Sequence, residues 1–356
     1  MSTSSSTNTT RNFPKLSVSP SFGYNILNGT IPDGFIAPPY QSLDVRVGAQ
    51  TTGKRLYQEL WNYPEWGGGI YAVNFSQDTL FGTPLAAFAY VDIPVRPYGA
   101  ERKWNYGVHL SCGLSGHFRT YDPFTNPRNL YLSTLLNTYL DAAVWVSRRL
   151  TPRLDARAGI SLVHFSNGSW RQPNLGLNLI GPKVQLQYFP QGRPAVASRR
   201  EIPTWRGRHG LFIAQAIGTK QLAIDGGRYF STTTSLAYRW WSGYRTRWLA
   251  QLDLFYDGSN NSGEDRRDIV PVEDRNNPAN YWSAGLFAGY EAVYNRWSLL
   301  LGAGVYVWRR YPYEKRVYQR FGLRYRVWRG LEVGVIYKGR SFGADYIEWT
   351  VGYGIF

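Results

Sequence analysis

The stretch 247-RWLAQLDLFY-256 puts Trp248, Ala250, Leu252, Leu254 and Tyr256 on one side of an extended chain, and Arg247, Gln251 and Asp253 on the other. Successive side chains of a β-strand point to opposite faces, so a period of two sorts residues in this way. The pattern recurs along most of the chain. In 320-RFGLRYRVWRG-330, Phe321, Leu323, Tyr325 and Val327 oppose Arg320, Arg324 and Arg326. A helix cannot hold a two-residue period on one face, so the alternation restricts the chain to an all-β fold. It predicts about sixteen strands, near residues 16–25, 40–49, 65–75, 84–95, 103–117, 137–149, 152–164, 177–189, 208–220, 229–241, 244–257, 280–293, 296–309, 315–328, 330–340 and 345–356.

Two all-β architectures alternate in this way, a soluble sandwich and an antiparallel transmembrane barrel. Connection lengths and composition favour the barrel. Links after even-numbered strands are often very short, as at 241–244, 293–296 and 328–331, whereas those after odd-numbered strands are often long and polar, as at 118–136 and 258–280. Short turns at one end and long loops at the other mark outer-membrane barrels. Aromatic residues make up 16% of the chain, with 14 Trp and 27 Tyr, as membrane-facing belts require. The mean hydropathy of -0.36 does not oppose this reading, because it averages a polar face with an apolar one. No apolar run reaches the roughly 18 residues that a transmembrane helix needs. The leading segment MSTSSSTNTTRNFP lacks the apolar core of a signal peptide, so the chain reads as the mature form, with residues 1–15 disordered.

The formal net charge of +16 would suggest nucleic acid for a soluble protein, but no nucleic-acid-binding motif accompanies it. Cations spread through the strands suit phosphorylated lipid instead. The lone Cys112 excludes an internal disulfide and falls on an apolar face. No cofactor loop or metal-ligand cluster stands out. The acidic residues Glu264, Asp265, Asp268, Glu273 and Asp274 read as a solvated loop rather than a cation site.

The Pro- and Arg-rich segment 190–207 divides the strands into 16–189 and 208–356. It fits either a long turn within one sixteen-stranded barrel or a linker between two eight-stranded barrels. The single barrel is the expectation, because the second half carries no convincing copy of the first half's polar motif. That motif lies in 161-SLVHFSNGSWRQPNLGLNLIGPKVQLQYF-189. His164 and Ser166 continue the apolar face of their strand and Asn178 that of the next, so a hairpin turns all three toward lipid near the long-loop rim. His109 and His117 fall on the polar face of theirs. Polar groups facing lipid are costly unless they are used or hydrated, which marks the cluster as functional.

His164-Phe-Ser166-Asn167-Gly, followed by Pro173-Asn174-x-Gly176-x-Asn178, resembles the signature of the lipid A 3-O-deacylase family, outer-membrane barrels also described as acyloxyacyl hydrolases. The resemblance covers about residues 15–189 and is specific over 164–178. It implies hydrolysis of an ester-linked acyl chain of lipid A, with lipopolysaccharide and outer-membrane lipids as partners and no cofactor. His164 would be the general base and Ser166 the nucleophile, while Asn167, Pro173, Asn174 and Gly176 would shape the substrate loop. Asn178 stands where the family carries Glu. An Asn can accept a proton from the imidazole but brings no charge to stabilise the imidazolium, so the triad is expected to be weakened. A carboxylate could come instead from a neighbouring strand or loop, with Asp141 or Asp122 as candidates, and Asp141 points inward by its phase. The alternatives are a non-catalytic barrel that partners other outer-membrane proteins, or a small-solute channel through a wide sixteen-strand lumen.

Overall fold

The computed structural model describes residues 13–26, 38–76, 78–98, 103–194, 201–261, 270–274, 277–311, 316–340 and 343–355. Sixteen strands are present: β1 (Phe13–Asn25), β2 (Pro39–Gln50), β3 (Glu65–Phe75), β4 (Gly82–Pro94), β5 (Trp104–Phe118), β6 (Asn137–Thr151), β7 (Leu154–Ser166), β8 (Leu177–Tyr188), β9 (Arg208–Gln221), β10 (Arg228–Trp241), β11 (Thr246–Asp257), β12 (Trp282–Tyr294), β13 (Trp297–Arg309), β14 (Val317–Trp328), β15 (Leu331–Arg340) and β16 (Gly343–Ile355). β1 begins three residues earlier than the alternation suggests, and the rest of the expected N-terminal tail lies outside the described residues. The link after β2 is longer than a turn because it holds a short helix, α1 (Leu56–Leu60).

The strands form two closed barrels of eight, β1–β8 and β9–β16, rather than one barrel of sixteen. Leu16 pairs with Tyr188 where β1 meets β8, and Trp349 pairs with Ile217 where β16 meets β9. Each closure satisfies the edge groups that a larger barrel would share with further strands. Alternation cannot discriminate between the two arrangements, since every strand keeps one face in and one out in both.

In the first barrel Ile180, Val184, Leu186 and Tyr188 of β8 face outward, while Lys183, Gln185 and Gln187 are buried inside. The interior has two layers. Toward the short-turn end and the middle lies an ionic network: Arg157 contacts Glu65 at 2.8 Å and Asp92 at 3.0 Å, Lys15 joins both carboxylates, and Lys183 bridges Asp44 at 2.9 Å and Asp141 at 2.8 Å. Arg46 chelates Asp44, and Arg193 reaches in to Glu65 and Asp155. Toward the long-loop end the filling is aromatic, with Tyr139 packed at 5.2 Å from Tyr71 and 5.6 Å from Phe165. His109 lies inside against Asp92, as its phase predicts. His117 does not. It is exposed with φ +64°, beside a register shift between Gly82 and Leu85 on β4, and Phe118 takes the inward place. One irregular residue inverts the two-residue count.

The second barrel is packed by the same means. Arg239, Arg247 and Arg324 surround Glu291, the first two also meet Glu332, Arg320 joins Asp253 to Glu348, and Lys220 lies 2.7 Å from both Asp257 and Asp345. Eight strands leave room only for side chains, so the wide lumen on which the channel alternative depended does not exist. A cavity of about 20 Å³ beside Arg46, Asp92, His109 and Arg157 holds about one water. The turns at 241–244, 293–296 and 328–331 all lie at the end where β16 finishes, as loop-length parity predicts.

Candidate active site

The outward face of β7 runs through Ile160 and Leu162 to His164 and Ser166, while Ser161, Val163 and Phe165 are buried between them. Phe165 is fully buried in the aromatic layer and fixes this phase. A one-residue slip would expose Phe165 and drive His164 inward. On β8, Asn178 lies directly opposite His164 in the antiparallel register. Their side chains meet: His164 Nδ1 is 2.7 Å from Asn178 Oδ1. An amide oxygen only accepts, so Nδ1 carries the proton and Nε2 is the basic nitrogen. Both side chains are half-buried at the long-loop end of the barrel, on its membrane-facing side.

Asn178 is itself held from β1. Its backbone N–H donates to Asn25 Oδ1 at 3.1 Å, and its carbonyl accepts from Ile26 N–H at 2.6 Å. Asn25 is buried, and nothing in the alternation of β1 marks it as a neighbour of the site. Barrel closure brings it there.

Ser166 ends β7, two residues beyond His164 on the same face, with backbones about 7 Å apart by strand rise. Asn167, Pro173, Asn174 and Gly176 follow in the connection to β8. Asn174 Oδ1 accepts from Asn167 N–H at 3.0 Å, and Asn167 Nδ2 donates to the Arg171 carbonyl at 2.9 Å. Gly176 has φ +73° and Gly168 has φ +64°, backbone that favours glycine. Residues 120–134 and 166–175 fall in the same compact unit as the second barrel. Within that unit Gln172 N–H donates to Gln221 Oε1 at 2.8 Å, Gln172 Nε2 donates to the Gln221 carbonyl at 3.1 Å, and Ser169 Oγ donates to the Ala344 carbonyl at 2.9 Å. A Cβ on Gly168 would come within 2.4 Å of Ile347. Gln221, Ala344 and Ile347 were not expected to contact the motif, since they follow it by 43 residues or more in the sequence.

Neither alternative carboxylate serves the imidazole. Asp141 is buried inside, bonded to Lys183 and to Ser161 at 2.6 Å. Asp122 accepts the Phe124 and Thr125 amides of its own turn, which hold its carboxyl below the usual range. Of the acidic loop, Glu264, Asp265 and Asp268 lie outside the described residues. Asp274 is engaged by Tyr311, Asn277 and Arg310, and no cluster fit for a metal ion occurs among the described residues.

A closed eight-strand barrel with apolar outer walls, an ionic core, and a histidine and serine turned outward at its long-loop rim defines a class: an outer-membrane β-barrel with a polar cluster on its outer face. Residues 44–187 match the family described as lipid A 3-O-deacylase (PagL), and residues 209–356 match the acyloxyacyl hydrolase C-terminal domain. The chain belongs to the lipid A 3-O-deacylase family and carries its C-terminal domain as a second barrel. No curated protein sequence matches. Among solved structures, a mutant of the Rh. blastica porin is similar at 9% identity, covering 96% of this chain and 100% of that one, with a TM-score of 0.20. A BenF-like porin from Pseudomonas fluorescens Pf-5 is similar at 10% identity, covering 97% and 99%, with a TM-score of 0.22. These values are too low to bear on either barrel.

Proposed function

We propose that this protein is an outer-membrane hydrolase that removes an ester-linked acyl chain from lipid A, with Ser166 as nucleophile and His164 as general base. The observation that carries the reading is the 2.7 Å contact between His164 and Asn178 on the membrane-facing surface of the barrel. Ser166 Oγ attacks the ester carbonyl as its proton passes to His164 Nε2. The tetrahedral intermediate expels the sugar alkoxide, which takes that proton, and water then hydrolyses the acyl-serine by the same base. Asn178 orients the imidazole without stabilising its positive charge, so turnover is slow relative to a carboxylate-bearing triad.

The absence of that carboxylate favours a second reading, a barrel that keeps the family's fold without its catalysis and acts as a partner of other outer-membrane proteins. Mass spectrometry of lipid A before and after exposure to the purified protein separates the two. Loss of one acyl chain with wild type, but not with Ser166→Ala, supports the hydrolase. Unchanged lipid A with both supports the non-catalytic barrel.

A further inference from the structure

The ion pairs inside the barrels nearly cancel. Five cations meet five carboxylates in the first, and seven meet six in the second. Among the described residues the interior pairs therefore contribute about +1, against +16 for the whole chain, and most of the described excess lies outside them. Part of it is concentrated at one end. At the short-turn end of the second barrel Arg206, Arg208, Arg245, Arg296, Arg326 and Arg329 are exposed. The described residues of that end, in 205–211, 240–248, 290–298, 325–332 and 350–355, include only two carboxylates, Glu291 and Glu332, and both are buried inside. The long-loop end differs, with exposed Asp225 and Glu273 among its arginines.

The same end carries an aromatic belt. Trp248 packs 5.2 Å from Tyr290 and Trp297 4.7 Å from Tyr325, and Trp328 lies beneath Arg329 at 4.9 Å. The first barrel repeats the arrangement on its own short-turn end. Lys103, Arg148 and Arg153 are exposed, Arg148 stacks on Trp104 at 5.3 Å, and Glu65 and Asp155 are buried inside. Indole and phenol rings settle at the headgroup level of a bilayer, and cations beside them attract anionic lipid. In an outer-membrane barrel the short turns are periplasmic, so these rims meet the inner, phospholipid leaflet.

We propose that the short-turn rims bind anionic phospholipid headgroups, whose phosphodiesters are held by the exposed arginines between the rings of the belt. The surface lies in the leaflet opposite the one that presents lipid A, and the proposal does not depend on the hydrolase reading. The test is native mass spectrometry of the full-length protein in detergent with added phosphatidylglycerol or phosphatidylcholine. Wild type should retain phosphatidylglycerol at least about tenfold over phosphatidylcholine, and the preference should fall as salt rises. Replacing Arg245, Arg296, Arg326 and Arg329 by Gln should abolish it, at about fivefold per cation, while the same four changed to Lys should retain most of it. Arg228→Gln with Arg310→Gln, at the long-loop end, should change nothing. Heat-modifiable migration on gels reports whether each variant is folded, and Arg296→Gln with Arg329→Gln replaces the fourfold variant if that one fails. No preference in wild type, an unchanged preference in the Gln variant, an equal loss in the long-loop variant, or displacement by inorganic phosphate at equal concentration overturns the proposal.

Discussion

Replacing Asn178 by Glu restores the charge that the candidate site lacks, and its effect follows from the geometry. With His164 Nδ1 and Asn178 Oδ1 2.7 Å apart, the position already receives the ring proton. A carboxylate there would face the imidazolium with charge centres about 4 Å apart, worth about 4 kcal/mol at an effective dielectric of about 20. That corresponds to about a thousandfold in rate. Serine-protease triads lose about 10⁴ when the carboxylate becomes an amide, so a gain between about 10³ and 10⁴ is expected. The extra methylene of Glu has room, because the pair lies half-buried on the outer surface rather than in the core. The assay is release of acyl chain from lipopolysaccharide in mixed micelles, read as the mass of the remaining lipid A. Wild type, Asn178→Glu, and Asn178→Glu with Ser166→Ala are compared at equal amounts of folded barrel. Activity that survives loss of Ser166 refutes the nucleophile assignment. If neither wild type nor Asn178→Glu is active, the Ser/His mechanism is wrong and the non-catalytic barrel stands.

Three further outcomes are expected. Glu291→Leu takes from Arg324 its carboxylate in the second barrel and leaves Arg239 and Arg247 to share Glu332, and unpairing a buried charge should cost about 3–5 kcal/mol, seen as a lower urea midpoint. An unchanged midpoint would mean that this network is not a source of stability. Gly168→Ala meets both a left-handed backbone and the Ile347 side chain, so limited proteolysis within 166–175 should accelerate, whereas Gln221→Ala should accelerate it less, since of the two bonds to Gln172 the one to the Gln221 backbone carbonyl is kept. Equal protection in both variants would show that the loop is held by other contacts. Cys112 faces outward from β5, so in membranes it should react with a lipid-soluble maleimide and resist a charged one. Reaction with both would place that face in water.

Most of the secondary structure and the outward direction of His164, Ser166 and Asn178 could be read from the chain alone, because strand geometry is local and alternates side by side. Where one residue breaks the count, as at His117, the reading failed, since a register shift depends on the partner strand. The ionic filling was foreshadowed by Arg, Gln and Asp on the inward faces, but their pairing was not. Glu291 meets Arg239 and Arg247 only because closure brings β10, β11 and β12 around one interior. The number of barrels was beyond the sequence for the same reason. A strand's two faces are set within a few residues, but which distant edge satisfies its last hydrogen bonds is decided when the sheet closes, and only tertiary structure joins β8 to β1 and β16 to β9. That closure also brings Asn25 to the backbone of Asn178, and the fold of the second unit brings Gln221 and Ile347 to the loop after Ser166. The sequence by itself determined what each residue faces, and the tertiary structure determined what it meets.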